Sequence, residues 1–220
     1  MDDVGEISAL KGMLFVLEGI DGAGKTAVCD RLVDVMIDEG YDVKRLREPT
    51  DESDWGQEIR ARSIKGELTP EEELELFIRD REWHVQNRIL PALDSGKIIL
   101  MDRYFFATGA YQSASTGLHW KDILKRNREE ISAPEPDIVF ILDVPIEIGL
   151  KRVSERKGRL NVQFEQYDRL VRVRKAYLEM TEEDIGNLVF IDARRSIELV
   201  TAEVHYHITD YIQKQKNGES

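Results

Sequence analysis

The chain has 220 residues, of which 31 are basic and 43 acidic, so its net charge is −12 at neutral pH. This balance disfavours a general nucleic-acid-binding role, which needs an excess of positive charge. A single cysteine excludes an internal disulfide and a cysteine-rich metal site. The acidic N-terminus has no signal-peptide pattern and no apolar run is long enough to span a membrane. We therefore expect a cytoplasmic protein that binds neither nucleic acid nor membrane.

The order of apolar runs along the chain predicts the fold class. Residues 1–12 are polar and aperiodic, so we expect a loose extension, then a single domain over 13–215 and a tail at 216–220. Strands are predicted at about 13–18, 41–47, 98–101, 138–142 and 188–191. Their mostly continuous apolar character is typical of parallel strands buried on both faces. We therefore expect an α/β fold in which helices cover both faces of a five-stranded parallel sheet.

Helices are expected between these strands. The clearest start is at Thr69 and Pro70, where an N-cap residue, a proline and several acidic residues follow one another. Helices are predicted at about 25–39, 55–64, 70 to at least 89, 105–114, 120–131, 146–155, 164–183 and 196–213, with a basic loop over 156–163. Because ligands of parallel sheets collect at the carboxyl ends of the strands, the residues there should converge in space. They include Gly19, Arg47, Asp102 and Asp192.

The stretch from Glu18 to Thr26, EGIDGAGKT, lies between the first predicted strand and the first predicted helix. In that context the pattern GxxxxGK[ST] predicts a phosphate-binding loop. Its glycines let backbone N–H groups turn toward phosphate oxygens, and the following helix adds the positive end of its dipole. Lys25 would reach the outer phosphates of a nucleoside triphosphate, and the Thr26 hydroxyl would ligate Mg²⁺. The residues expected to bind ATP in this loop are Gly19, Asp21, Gly22, Ala23, Gly24, Lys25 and Thr26.

Asp102 and Arg103 follow the third predicted strand. Asp102 stands where phosphate-loop enzymes place a Mg²⁺-associated carboxylate, although a simple strand-end residue is the alternative. Arg103 offers a planar, bidentate partner for phosphate. A switch GTPase is excluded, because Phe105 occupies the glycine position of D-x-x-G and no N-K-x-D motif is present. The two acids that end a strand in mechanical ATPases are also absent.

Four further motifs narrow the class of kinase. They are REP at 47–49, FIRDR at 77–81, DRY at 102–104 followed by AYQ at 110–112, and LDV at 142–144. With these motifs the chain resembles the thymidylate kinases, a P-loop nucleoside monophosphate kinase family, from about residue 14 to about residue 211. The resemblance implies Mg²⁺-dependent phosphorylation of dTMP to dTDP by ATP, within dTTP biosynthesis. It also implies the sheet order 2-3-1-4-5 and a homodimer formed through the helices after Gly24 and Pro70.

The resemblance further implies which residues bind the acceptor. Phe77 would stack on the thymine ring, and Arg81, one turn along the same helix face, would donate to an exocyclic oxygen. Without the resemblance, Phe77 would be interpreted as a core residue. Thr108 and Gln112 match positions that read the base edge, and Tyr111 matches a tyrosine that lies under the sugar and favours deoxyribose. The residues implied at the sugar and phosphate are Asp21, Arg47 and Arg103.

Catalysis by this class depends on holding charge rather than on a general base, because the attacking phosphate oxygen is already anionic. Besides Lys25 and Arg103, the family takes one further arginine from the phosphate loop or from a mobile lid. The loop here has none, so the lid, at about 152–163, must supply it. We rank Arg159 and Arg156 first and Arg152 third as lid residues. A solvated basic loop is the alternative interpretation of this segment.

The sequence departs from the family in places that affect specificity. Thr50 and Asp51 replace the usual glycine pair after REP, and Ala107 stands where serine is frequent. Because a thymine pocket differs from a uracil pocket by one methyl group, worth roughly 1 kcal/mol, dUMP is plausible as a co-substrate. After the fifth strand, Arg194 would border the donor adenine or face solvent.

Two other functions stay open at this point. One is a kinase of the same fold with another acceptor, such as a different nucleoside monophosphate or a deoxynucleoside. A nucleoside acceptor needs a base near its 5′-hydroxyl, which Glu18 would provide only if its side chain points inward. The other is a non-catalytic nucleotide-binding regulator, which should lack the acceptor residues and lid arginines present here.

Overall fold

The computed structural model describes residues 11–157, 164–183 and 187–218. Nearly all of the expected N-terminal extension therefore lies outside the described residues, as does the part of the lid that contains Arg159. Each described strand belongs to one sheet, and all of its pairings are parallel. The order β2-β3-β1-β4-β5 confirms the order that the family resemblance implied. The strands are β1 (Met13–Glu18), β2 (Val43–Arg47), β3 (Ile98–Asp102), β4 (Ile138–Asp143) and β5 (Leu188–Asp192).

The register of the sheet aligns the carboxyl ends of its strands. Asp102 of β3 lies opposite both Leu17 and Arg47, and Asp143 lies opposite Asp192. The central strand β1 is buried along its whole length. This is expected for a strand with neighbours on both sides and helices on both faces. The phosphate-loop sequence therefore begins in the middle of the sheet, at the edge where the other polar strand ends gather.

The helices fall between the strands, as the chain order predicted. They are α1 (Lys25–Asp38), α2 (Asp54–Arg62), α3 (Pro70–His84), α4 (Leu90–Asp94), α5 (Phe105–Thr116), α6 (Trp120–Glu129), α7 (Ile146–Lys157), α8 (Phe164–Glu183) and α9 (Ile197–Asn217). The start of α3 is a capping box in which Thr69 and Glu72 each bond the other's backbone N–H. None of the helices within the described residues has both the length and the apolar character needed to cross a membrane.

Several predicted boundaries differ from the structure by one to four residues, and two of these differences have an identifiable cause. Strand β2 starts at Val43 rather than at residue 41, because the N–H of Tyr41 donates to the carbonyl of Met36 and so closes the end of α1. Helix α9 continues to Asn217, beyond the predicted end at 213 and into the expected tail. It ends at Gly218, whose φ of 70° is the left-handed conformation that commonly terminates helices.

The long helix predicted from residue 70 is interrupted by a π-helical turn at Val85–Ile89 before it continues as α4. Pro91 explains part of this irregularity, since it has no N–H to donate to the carbonyl of Asn87 four residues earlier. The guanidinium of Arg88 donates to that carbonyl instead, at 2.9 Å. The 3.6-residue period of the apolar positions predicts which face of the helix is buried. It does not predict where a π-helical turn interrupts the helix.

Candidate active site

The phosphate loop takes a backbone conformation that strongly favours glycine at three of its positions. Gly19, Gly22 and Gly24 have φ values of 135°, 83° and 99°. A Cβ on Gly22 would lie 2.1 Å from the carbonyl oxygen of Gly149 at the start of α7, which is closer than any real contact. The loop is thus packed tightly against α7, and its backbone curls as phosphate binding requires.

Lys25 lies beneath the loop at the first position of α1. Its ammonium group donates to the carbonyl oxygens of Gly19 and Ile20, at 3.0 and 2.9 Å. Burial, together with the nearby guanidinium of Arg103, lowers the pKa of Lys25 to about 8. A desolvated ammonium held at this point is positioned to bind phosphate oxygens above the loop.

Thr26 and Asp102 are brought together from α1 and the end of β3. The Thr26 hydroxyl donates to Oδ2 of Asp102 at 2.6 Å, and Asp102 is almost fully buried. Arg45 lies 3.7 Å from the same carboxylate. A hydroxyl and a carboxylate are hard oxygen ligands that suit Mg²⁺, which takes its other ligands from water and phosphate. The donor set therefore fits the metal that the sequence predicted.

Arg103 is held in a left-handed backbone conformation, with φ of 71°. This conformation is unfavourable for arginine and is common where function requires a fixed side-chain direction. The backbone N–H of Arg103 donates to Leu17 at 3.0 Å, which anchors the strained residue to β1. Its guanidinium pairs with Asp21 of the phosphate loop and lies 4.9 Å from the centroid of the Tyr111 ring. Asp21, Arg103 and Tyr111, which the resemblance implied around the sugar and phosphate of the acceptor, are therefore adjacent.

A cavity of about 230 Å³ lies beside the phosphate loop. It contains seven of the eight residues that the family resemblance implies for acceptor binding, the exception being Arg47. Its lining residues are Asp21, Glu48, Pro49, Ser63, Glu73, Phe77, Arg81, Arg103, Tyr104, Ala107, Thr108, Tyr111, Gln112 and Arg169.

Phe77 is half-buried and does not belong to the hydrophobic core, although it stands at helical spacing with core residues. Its ring lines the cavity, which favours the stacking interpretation over the core interpretation. Thr108 and Gln112 on α5 also line the cavity and are otherwise buried. The amide nitrogen of Gln112 donates to Glu73 at 3.0 Å.

Arg81 is part of a buried network that the sequence did not reveal. The guanidinium bonds Glu48 through Nε at 2.8 Å and through Nη2, Asn127 through Nη1 at 2.6 Å, and Thr108 through Nη2 at 2.9 Å. Four of the five N–H groups of an arginine are thereby used, which leaves one on Nη1. The network orients Arg81 rigidly, and this single N–H is the donor available to an acceptor oxygen.

Arg47 is directed away from the cavity lining. Its guanidinium pairs with Asp51, a residue that stands where the family usually has glycine, and 43% of the side chain is exposed. Asp51 also pairs with Arg60 of α2 at 2.7 Å. The loop is fixed by the buried Asp80, which accepts hydrogen bonds from the backbone and hydroxyl of Thr50. The replacement of the usual glycine by Asp51 thus supplies the carboxylate that pairs with Arg47.

The donor side of the edge carries Arg152 and Arg194. Nη1 of Arg152 donates to the carbonyls of Gly22, at 3.3 Å, and Ala193, at 3.1 Å, and so joins the phosphate loop to the segment after β5. Arg194 pairs with Asp192, and 62% of its side chain is exposed. It borders a depression of about 420 Å³ lined also by Asp143, Pro145, Arg174, Phe190 and Asp192. Arg156 lies in the last turn of α7 with its side chain outside the described part, and Arg159 lies outside it entirely.

Glu18, which a nucleoside kinase would need as a base, is engaged elsewhere. The side chain is fully buried, and its Oε1 accepts from the backbone N–H groups of Tyr104 and Ala107, at 2.8 and 3.0 Å. Oε2 accepts from the hydroxyl of Tyr177 at 2.9 Å. Glu18 therefore joins β1 to the start of α5 and to α8. It is a structural acceptor rather than a base for an incoming hydroxyl.

Burial raises the pKa of the Glu18 carboxyl to about 7, against the opposing effect of Arg103. Between about pH 4.5 and 7 the native state therefore keeps a proton on Glu18 that the unfolded chain has already released. The free energy of unfolding consequently falls as the pH rises through this range. The neutral variant Glu18→Gln should lack this dependence, and its stability relative to wild type should rise by about 2.5 kcal/mol from pH 5 to pH 8. Urea denaturation at both pH values measures the difference. The exposed control Glu182→Gln should change the free energy of unfolding by the same amount at both pH values. If Glu18→Gln and wild type differed by the same free energy of unfolding at both pH values, the assignment to Glu18 would be contradicted.

Several residues around the cavity were missed by sequence reasoning. Glu48 lies within the REP motif, and that motif could have predicted it as a residue of the site. Tyr104, whose ring centroid lies 5.5 Å from the Arg81 guanidinium carbon, likewise belongs to the DRY motif, whereas Asn127 on α6 had no such signal, because its partner Arg81 is distant in sequence. Arg169 on α8 lies one turn before buried residues on the same side of the helix, and sequence reasoning did not single it out.

The parallel sheet of this order, the phosphate loop at its centre and the adjacent cavity define the class of the protein as a P-loop nucleoside monophosphate kinase. A family model described as thymidylate kinase matches residues 17–204. The chain belongs to the thymidylate kinase family.

Curated relatives agree with this membership over nearly the whole chain. The probable thymidylate kinase of Archaeoglobus fulgidus is 44% identical over 206 residues, which covers 94% of this chain and 100% of the relative. The thymidylate kinase of Xanthomonas euvesicatoria pv. vesicatoria is 37% identical over 209 residues, covering 95% and 88%. That of Xylella fastidiosa strain M23 is 38% identical over 189 residues, covering 86% and 83%.

Proposed function

We propose that this protein transfers the γ-phosphoryl group of ATP to dTMP and so makes dTDP for dTTP biosynthesis. The observation that carries the proposal is the cavity beside the phosphate loop, in which Phe77, Arg81 and Tyr111 meet Asp21 and Arg103. An aromatic face, a fixed guanidinium donor and a charged end suit a pyrimidine base, its carbonyl oxygen and a sugar phosphate in that order. Membership in the thymidylate kinase family supports the same acceptor.

The proposed mechanism relies on positioning and charge stabilisation. ATP would lie along the phosphate loop, with Lys25 on its outer phosphates and Arg152 near the donor side. Thr26 and Asp102 would hold a Mg²⁺ ion, which supplies positive charge to the phosphates. Arg103 would hold the acceptor phosphate in line with the transferred group, and Asp21 would hold the sugar. An acceptor phosphate oxygen is already anionic, so no side chain has to remove a proton.

The buried position of Glu18 argues against a nucleoside as acceptor. Both of its oxygens are occupied by donors from α5 and α8. Deprotonation of a 5′-hydroxyl would require a free base at that point. A monophosphate acceptor needs cations instead, and Arg103 lies in the cavity to provide one.

The finer features of the enzyme are part of the proposal. We expect an arginine of the lid, first Arg159 or Arg156, to stabilise the transferred phosphoryl group, and Arg47 to leave Asp51 for the acceptor phosphate when a nucleotide binds. A homodimer formed through α1 and α3 follows from the family resemblance, and a cytoplasmic location follows from the sequence pattern of the chain. The exposure of Val35 and Ile37 on α1, at 39% and 51%, supports a contact there.

A coupled assay with ATP and Mg²⁺ over dTMP, dUMP, dCMP, UMP, AMP and thymidine tests the proposed function. We expect the highest kcat/KM with dTMP and a value about five- to tenfold lower with dUMP, since one methyl contact is lost. UMP should be slower still, because Tyr111 would crowd its 2′-hydroxyl, and thymidine should not react. Faster turnover of any other acceptor would refute the assignment of dTMP.

A further inference from the structure

Arg169 lies on α8, one turn before a buried apolar row of that helix. Positions 169, 173 and 177 form one i, i+4, i+8 row of the helix. Val173 and Tyr177 in this row are almost fully buried, and α8 packs against α5. The hydroxyl of Tyr177 reaches Glu18 at the end of β1. Arg169 continues the row toward the acceptor cavity and lines it.

The guanidinium of Arg169 has a donor that no described residue satisfies. Its Nε is buried and has no hydrogen-bond partner within the described part of the chain. The guanidinium carbon lies 5.7 Å from the centroid of the Tyr111 ring, the same ring that Arg103 approaches to 4.9 Å. A buried N–H without an acceptor is unfavourable, and it becomes favourable when a ligand supplies the acceptor.

The charges of the cavity leave Arg169 as its unneutralised cation among the described residues. The ion pairs within the lining are Asp21–Arg103 and Glu48–Arg81. The remaining carboxylate, Glu73, accepts hydrogen bonds from Ser63 and Gln112. Arg47, which the family resemblance implied at the phosphate, pairs with Asp51 and does not line the cavity. The lining as a whole has three carboxylates and three guanidinium groups, but at the Tyr111 ring there are two guanidinium groups, Arg103 and Arg169, and one carboxylate, Asp21.

We propose that Arg169 binds the phosphate group of the acceptor nucleotide together with Arg103. A dianionic phosphate can accept a hydrogen bond from the unused N–H and can also neutralise the positive charge of Arg169. A base or sugar oxygen could accept the hydrogen bond but could not neutralise the charge. Arg169 thereby discriminates a nucleoside monophosphate from its nucleoside. This inference rests on the proposed function, because it requires a nucleoside monophosphate in the cavity.

Calorimetric titration with dTMP and with thymidine tests the assignment. Arg169→Leu should weaken dTMP binding about 10- to 100-fold, the usual effect of losing a charge-assisted hydrogen bond, and leave thymidine binding unchanged. Arg169→Lys, which keeps the charge, should retain part of the preference for dTMP. The matched control is Arg172→Leu, an exposed arginine one turn along the same helix, which should behave as wild type. In steady state the KM for dTMP should rise while the KM for ATP stays constant.

Three results would overturn the proposal. Equal weakening of dTMP and thymidine would assign Arg169 to the base, the sugar or the cavity shape. A loss of kcat with unchanged dTMP affinity would place it on the transferred phosphoryl group, and no change would place it in solvent. Should Arg169→Leu fail to fold, Arg169→Gln carries the same comparison. If the wild-type protein does not phosphorylate dTMP, the proposed function fails. The same titrations with the nucleotide that it does phosphorylate, and with the corresponding nucleoside, then test the role of Arg169 separately.

Discussion

Replacing Lys25 with methionine is expected to lower kcat about 10³-fold while the protein stays folded. The ammonium group is buried and lies under the phosphate loop, hydrogen-bonded to two loop carbonyls. Its charge is stabilising chiefly when negative charge spreads over the transferred phosphoryl group. Methionine fills a similar volume without the charge, so thermal unfolding should change little.

A pH series distinguishes loss of the charge from loss of the loop conformation. Burial lowers the pKa of Lys25 to about 8, so free wild-type enzyme loses this positive charge as pH rises above that value. ATP favours the protonated form, so its affinity should fall above pH 8 by up to about tenfold per pH unit. Lys25→Met should lack this dependence, and Lys151→Met, an exposed lysine on α7, should keep it. A pH-independent affinity in wild type would contradict the role assigned to Lys25.

Arg81→Met is expected to lower the free energy of unfolding by about 3–5 kcal/mol. Removal of the guanidinium leaves the Glu48 carboxylate buried with His84 as its remaining side-chain partner, at 3.0 Å. Burial raises the pKa of Glu48, and in wild type Arg81 and His84 more than offset this and hold it below its usual range. The large loss therefore comes from an uncompensated charge rather than from a missing contact.

The double variant Arg81→Met/Glu48→Met separates these two causes. Because it removes both charges, it should recover much of the stability lost in the single variant, and a double-mutant cycle in urea measures the coupling. Arg79→Met, on the exposed face of the same helix, should be nearly neutral. If Arg81→Met were as stable as wild type and only dTMP binding weakened, Arg81 would act on the acceptor alone.

Local sequence patterns were enough to predict most of the fold. The continuous apolar strands indicated a parallel sheet, and the Thr69–Pro70 start of α3 was predicted from capping chemistry alone. The π-helical turn before α4 was not predictable, because it depends on how Pro91 and Arg88 share the carbonyl of Asn87. The start of β2 was predicted two residues too early, because the backbone N–H of Tyr41 donates to the end of α1 instead of joining the strand.

The candidate site also contains residues that the sequence predicts and residues that only the folded structure brings together. Phosphate-loop residues lie within nine positions of one another, so their spacing alone carries the chemistry. The Glu48–Arg81–Asn127 network joins α3, α6 and the segment after β2, and neither periodicity nor spacing predicts such partners. The redirection of Arg47 likewise depends on Asp51, whose position is set by Asp80 from α3.

By itself, the sequence determined the sheet with its strand-loop-helix start, the class of ligand at that loop, and the family. Those features depend on residues that are neighbours along the chain or repeat with the period of a helix or strand. Only the tertiary structure decided which charges neutralise one another, and hence that Glu18 is occupied, that one N–H of Arg81 remains available and that Arg169 enters the cavity. The reason is physical: the energy of a buried charge depends on partners brought close by folding, whatever their separation in the sequence.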